Sequence, residues 1–194
     1  MKQDGADTTG RLISVTRGTL SGLLATIPMT LVMEGLRRNL PVHERYPLPP
    51  RLIMASVTAQ TGARVYLTNE QEEELAWCAH YLFGALMGAV YGAITPRTAS
   101  HPFARGALFG CCVWAASYQG WLPALGILPA ATHHPTRRVL LMIAAHVIWG
   151  VTLTEIDKFL SKIVIENGKP GVADREHEPQ ADAVESVALT VVSV

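Results

Sequence analysis

Five polar side chains stand inside stretches that are otherwise apolar enough to sit in a membrane: Glu34, His80, Tyr118, Gln119 and His146. Imidazole nitrogen and carboxylate oxygen suit zinc or a similar ion, and histidine titrates near neutral pH. His80, His146 and Glu34 are therefore candidate ligands for a metal or haem, or members of a proton relay with Tyr118. Ionisable groups in membrane spans are costly and mark either a function or an internal pair. The structural alternative is that these groups bond one another or backbone carbonyls and hold helices in register, at about 0.6 kcal/mol each on average. No His-x-x-x-His or Glu-x-x-His spacing falls within one apolar stretch, so neither chemistry is written in a local motif.

Four apolar stretches must position these groups, at about 18–35, 75–95, 104–122 and 139–156. Each is close to the roughly 20 residues that cross a hydrocarbon core of about 30 Å. Each also carries small residues four apart. Gly18 and Gly22 lead into Thr26, Thr30 and Glu34 in the first, and Gly84, Gly88 and Gly92 follow His80 in the second. Gly106 and Gly110 mark the third, and Gly150 follows His146 in the fourth. Such stripes let helices approach closely. Residues four apart share a face, so His80 and His146 belong to the packing side, not the lipid side. Alternating helix directions put Glu34, His80, Tyr118, Gln119 and His146 at one membrane face, near the 36–74 and 123–138 loops, with Trp77 and Trp121 as an interfacial belt. Pro28 is expected to kink the first helix.

The connections carry their own signals. Leu52, Ile53 and Val57 fit one face of a short interfacial helix. Thr68 and Gln71 form a capping-box pattern, and Glu70, Glu72, Glu73 and Glu74 read as the solvated start of the second span. Residues 1–16 and 159–194 read as polar tails around a 17–158 membrane domain, the last tail unstructured and ending in VALTVVSV, an apolar end or a strand that docks on a partner. Lys and Arg number about nine on the side of the termini and about seven on the other, which places both termini in the cytoplasm.

Charged residues are 16% of the chain and hydrophobic ones 49%, against roughly 25% charged in soluble chains. Sixteen basic and sixteen acidic residues cancel, giving no electrostatic case for nucleic acid. Cys78, Cys111 and Cys112 lack zinc spacing and read as small buried hydrophobes. There is no Walker loop, GxGxxG or HExxH, and Ser21 and Ser117 lack a nucleophile elbow, so an enzyme and a bound cofactor are not expected. No internal repeat stands out from the spans.

Several segments resemble a known family: Leu48–Arg51 (LPPR), the pattern of His80, Phe83 and Tyr91, the loop of Pro123, Gly126 and Pro129, and His146–Trp149 (HVIW). Together, over about residues 17–156, they are similar to the YagU-like bacterial inner-membrane proteins. The resemblance implies a small multi-pass protein without an assigned reaction; it transfers no catalytic residue. The expectation is thus an all-α integral membrane bundle of four transmembrane helices with a short interfacial helix in the first loop. Its partners are the lipid bilayer and either a second copy or another membrane protein. A structural or accessory role leads, with a small transporter or proton conductor as the alternative.

Overall fold

Prolines at helix starts, glycines on helix faces and long apolar stretches between polar loops make this a chain of helices. The computed structural model describes residues 2–95 and 101–167, with side chains over 8–95 and 101–163. Among the described residues there is no strand. Helix α1 is Lys2–Arg38 and runs on through Pro28. After a 3-10 turn at Val42–Glu44, α2 (Pro49–Thr61) starts on two prolines and stops at Gly62, whose φ of 74° suits a residue without a Cβ. Helix α3 (Asn69–Ile94) begins on a complete capping box: the Gln71 N–H donates to the Thr68 hydroxyl at 3.2 Å, and the Thr68 N–H to the Gln71 side-chain oxygen at 3.0 Å. Helix α4 (Pro102–Ala115) runs into a π-helical stretch, Ala116–Trp121, and a short α5, Leu122–Ala124. Helix α6 is Thr136–Asn167. The chain divides into two compact units, residues 1–160 and 161–194; of the second, only the end of α6 is described.

Three helices are long and apolar enough to cross a membrane, at Thr8–Arg38, Asn69–Ile94 and Thr136–Ile163. The remaining stretch expected to cross, 104–122, is not one long α-helix: α4 has 14 residues before the π-helical turn interrupts it. Two boundaries also differ from expectation. Helix α1 begins at Lys2, so the polar segment 2–16 is helical, and α6 continues past residue 158. The Ser14 hydroxyl donates to the Gly10 carbonyl, 3.0 Å away and four residues back, and Arg17 is bound to Asp157 of α6, local and tertiary contacts that a hydropathy reading does not contain. The turn at 96–100, the tail from 168 and its VALTVVSV end lie outside the described residues.

The helix directions follow from which residues meet. Gly18 lies against Gly88 and Gly92, Gly22 against Gly84 and Gly88, so α1 and α3 are antiparallel. Gly106 lies against Gly150 and Thr154, Gly110 against His146 and Gly150, so α4 and α6 are antiparallel too. Helix α3 meets α4 through Phe83 with Trp121 at one end and Tyr91 with Phe109 at the other. Helix α6 meets α1 through Trp149, whose Nε1–H donates to the Gly22 carbonyl at 3.2 Å, and through the Arg17–Asp157 ion pair at 2.6 Å. The four form an up-down-up-down bundle.

Its polarity is arranged as a membrane requires. Outward positions carry Leu20, Leu24, Ile27 and Leu31 on α1, Leu82 and Leu86 on α3, and Leu108 on α4, all exposed. Ser21, Thr26, Ser117, His146 and Thr154 are buried. Soluble helices put the polar face outside; here small and hydroxylic groups face inward and leucine faces out. The cysteines follow the same logic and correct the expectation of buried thiols. Cys78 and Cys112 are exposed among the outward apolar residues and Cys111 is half-buried, all three free.

Candidate functional site

At the end of the bundle nearest α2, the helices line a half-open cavity of about 220 Å³. Thr26, Met29 and Met33 of α1 form one wall, and α2 closes one side with its two leading prolines, Ile53 and Met54. His80, Phe83 and Met87 of α3, Ser117, Tyr118 and Trp121 of the π-helical stretch, and Met142, His146 and Trp149 of α6 complete it. The π-helical turn widens the helix by one residue per turn and is a common device at functional sites; here it carries Ser117 and Tyr118 to the cavity.

His80, Tyr118 and His146 thus share one cavity. The His146 Nδ1–H donates to the Met142 carbonyl at 2.8 Å, so in the neutral ring Nε2 is the acceptor nitrogen. The Tyr118 ring meets the His146 ring edge-on at 6.1 Å and stacks on Trp114 at 6.3 Å. His80 sits between the Trp77 ring at 6.0 Å and the Tyr81 ring at 5.9 Å. Among the described residues, His80 Nε2 and Ser117 Oγ are buried without a hydrogen-bond partner. Both residues line the cavity, although the two atoms themselves are almost wholly covered.

Glu34 and Gln119 are not part of it. The Glu34 carboxylate is held by Arg37, one turn on, at 2.9 and 3.1 Å, and does not line the cavity. Gln119, one residue past Tyr118, is exposed. Without a carboxylate, and with no group of three His, Cys, Asp or Glu side chains gathered among the described residues, the site does not assemble the His–His–Glu ligand set that the sequence suggested. Of the loop histidines, His134 bonds the Tyr46 hydroxyl through Nδ1 at 3.1 Å and lines a second, water-sized cavity of about 20 Å³ with Trp114, Tyr118 and Arg138.

Two features were missed in the sequence. Ser117 reads in the sequence as part of the small-residue groove of the third span and as a serine without a nucleophile elbow, not as a cavity residue, and the methionines carry no signal there. A third was legible but overlooked: His80 and His146 occupy the same local pattern, AHYLFG at Ala79–Gly84 and AHVIWG at Ala145–Gly150. Each sits on the second helix of an antiparallel pair, α1 with α3 and α4 with α6. The cavity therefore receives one histidine from each pair.

A family model described as "Protein of unknown function (DUF1440)" matches residues 29–155. No curated protein matches the chain, and no solved structure does. The matched stretch contains every cavity-lining residue named above except Thr26, and leaves out Gly18 and Gly22.

Proposed function

The chain belongs to the family described as protein of unknown function DUF1440, and from that premise we propose a four-span accessory protein of the bacterial inner membrane that holds a small molecule in the cavity between its helix pairs. The observation that carries this reading is an apolar cavity of about 220 Å³ with two buried, unpartnered polar atoms on residues of its wall. Largely apolar pockets with a few convergent polar groups are the usual form of a ligand site. The likeness of the Leu48–Arg51, His80 and His146 segments to YagU-like proteins supports the inner-membrane location. In this reading the protein performs no covalent chemistry. Both termini lie in the cytoplasm, and the glycine stripes serve packing within the chain, with the leucine-rich outer faces left for lipid, a second copy or another membrane protein.

A second reading, a proton relay, is favoured by one observation: two histidines and a tyrosine line the same cavity. One set of preparations separates the two. Wild-type protein purified in mild detergent should release a small molecule on solvent extraction in near-equimolar amount. A Val113→Phe variant, which fills the cavity, should release much less. Equal release from both would sink the binding reading. Acidification of dye-loaded vesicles by the wild type but not by His146→Ala would put the relay in its place.

A further inference from the structure

The chain has six methionines, and five of them, Met29, Met33, Met54, Met87 and Met142, line this one cavity. They come from four helices, so their meeting is a property of the fold and not of any sequence run. A thioether is polarisable, adapts its shape, and makes favourable contacts with aromatic rings. Aromatic side chains supply the rest of the wall: Phe83 and Trp121, 6.2 Å apart and tilted, with Tyr118 and Trp149. The size is also informative. An apolar protein cavity of about 150 Å³ takes up benzene, so about 220 Å³ admits a substituted ring or a fused pair.

The polar groups then set the chemistry of the edge. Among the described residues no Asp, Glu, Lys or Arg lines the cavity, so a charged guest would be uncompensated. With Nδ1–H bound to the Met142 carbonyl, the His146 ring in its neutral form offers Nε2 as an acceptor. Ser117, 4% exposed, has a hydroxyl that can donate or accept and has no partner of its own among the described residues. We propose that the cavity binds a neutral planar aromatic molecule of one or two rings bearing a hydroxyl or ring N–H, of the phenol or indole class. This rests on the cavity being a binding site at all. A lipid acyl chain would fill the same walls but leave the Ser117 hydroxyl and His80 Nε2 unpaired. A soft cation such as Ag(I) suits thioethers, but it is much smaller than the cavity and makes no use of the aromatic walls.

The test is equilibrium dialysis of the full-length protein in detergent, against protein-free micelles, with phenol, indole, toluene, cyclohexanol and Ag(I) as probes. Phenol and indole should bind about tenfold more tightly than cyclohexanol, the sum of a few sulfur–aromatic and ring–ring contacts. Ser117→Ala should remove the advantage of phenol over toluene and leave toluene binding unchanged. If that variant melts lower without ligand, His80→Gln is put through the same comparison. Cyclohexanol binding as tightly as phenol overturns the aromatic assignment while the site itself stands. Ag(I) binding in place of the aromatic probes overturns it in favour of a metal. No binding of any probe removes the binding site along with it.

Discussion

Arg138 is the side chain on which most backbone depends, and it has no role in the cavity's chemistry. Its guanidinium donates to the carbonyls of Glu44 at 2.8 Å, Tyr46 at 2.9 Å and Pro47 at 2.9 Å, and lies 3.5 Å over the Tyr46 ring. A proline-rich loop has few N–H groups for its own carbonyls, and a planar fork of donors answers several at once. This pins the start of α6 to the segment that leads into α2, and α2 closes the cavity. Arg138→Ala should therefore lower stability by about 3 kcal/mol, since it strands acceptors that were bonded to a charge. Arg138→Lys should recover only part of that, because an ammonium cannot reproduce the fork. Reversible unfolding in mixed micelles would measure both, and an alanine variant as stable as wild type would end the idea of a latch. Legibility at this scale was uneven for physical reasons. His80, His146 and Tyr118 stood out because an ionisable group in an apolar stretch is conspicuous anywhere. Glu34 stood out for the same reason, yet its partner Arg37, three residues on, was the local clue that it was already paired. The five methionines carry no such mark; only tertiary packing brings them together.

Among the elements, the two antiparallel pairs follow one plan with a displacement. In the first pair Gly22 meets Gly84 and Gly88, four and eight residues beyond His80; in the second Gly110 meets His146 itself and Gly150. The second crossing thus lies a full helical turn closer to its histidine. That explains why His146 is 6% exposed and bound to its own helix backbone, whereas His80 stays partly exposed at the cavity wall. Close approach makes these glycines intolerant of any side chain. A Cβ on Gly88 would stand 2.8 Å from the Cα of Gly22, and the atom it meets is backbone, which cannot swing aside. Gly35 is in the same helix as Gly22 and has nothing within 4 Å of a Cβ position. Gly88→Ala should therefore cost about 2–3 kcal/mol through overpacking, while Gly35→Ala should be neutral or stabilise by up to about 1 kcal/mol through helix propensity. Matched unfolding curves of the two variants would decide it, and equal effects would mean the stripe does not separate packed from open glycines. The four-residue spacing was plain in the sequence. The choice of partner for each stripe was not, because every stripe is compatible with every other.

For the whole molecule, the question is whether the bundle crosses the membrane three times or four. The three long helices alone would leave the termini on opposite faces. Against that stands the path of α4. Its 14 residues lead into six of π-helix, kinked at Gly120, and three more of α-helix, a path on the order of 30 Å at the usual helical rise. It lies beside α3 from Tyr91, whose hydroxyl receives the Arg105 Nε–H at 3.0 Å, to Phe83, which meets Trp121. A segment that runs alongside a spanning helix over that distance occupies the same depth of membrane. Hydropathy marked this stretch as a fourth crossing, and the interruption that removes it from the long helices is the π-helical turn that carries Ser117 and Tyr118 to the cavity. In the proposed four-span reading the fourth crossing and the site are one feature, and four crossings predict both termini on one side. Epitope tags at the N- and C-terminus, probed with protease in sealed inverted vesicles, should be cleaved together. Cleavage of one and protection of the other would mean that α4 does not cross, and that the cavity opens to water at the membrane surface instead of lying among helices that span the bilayer.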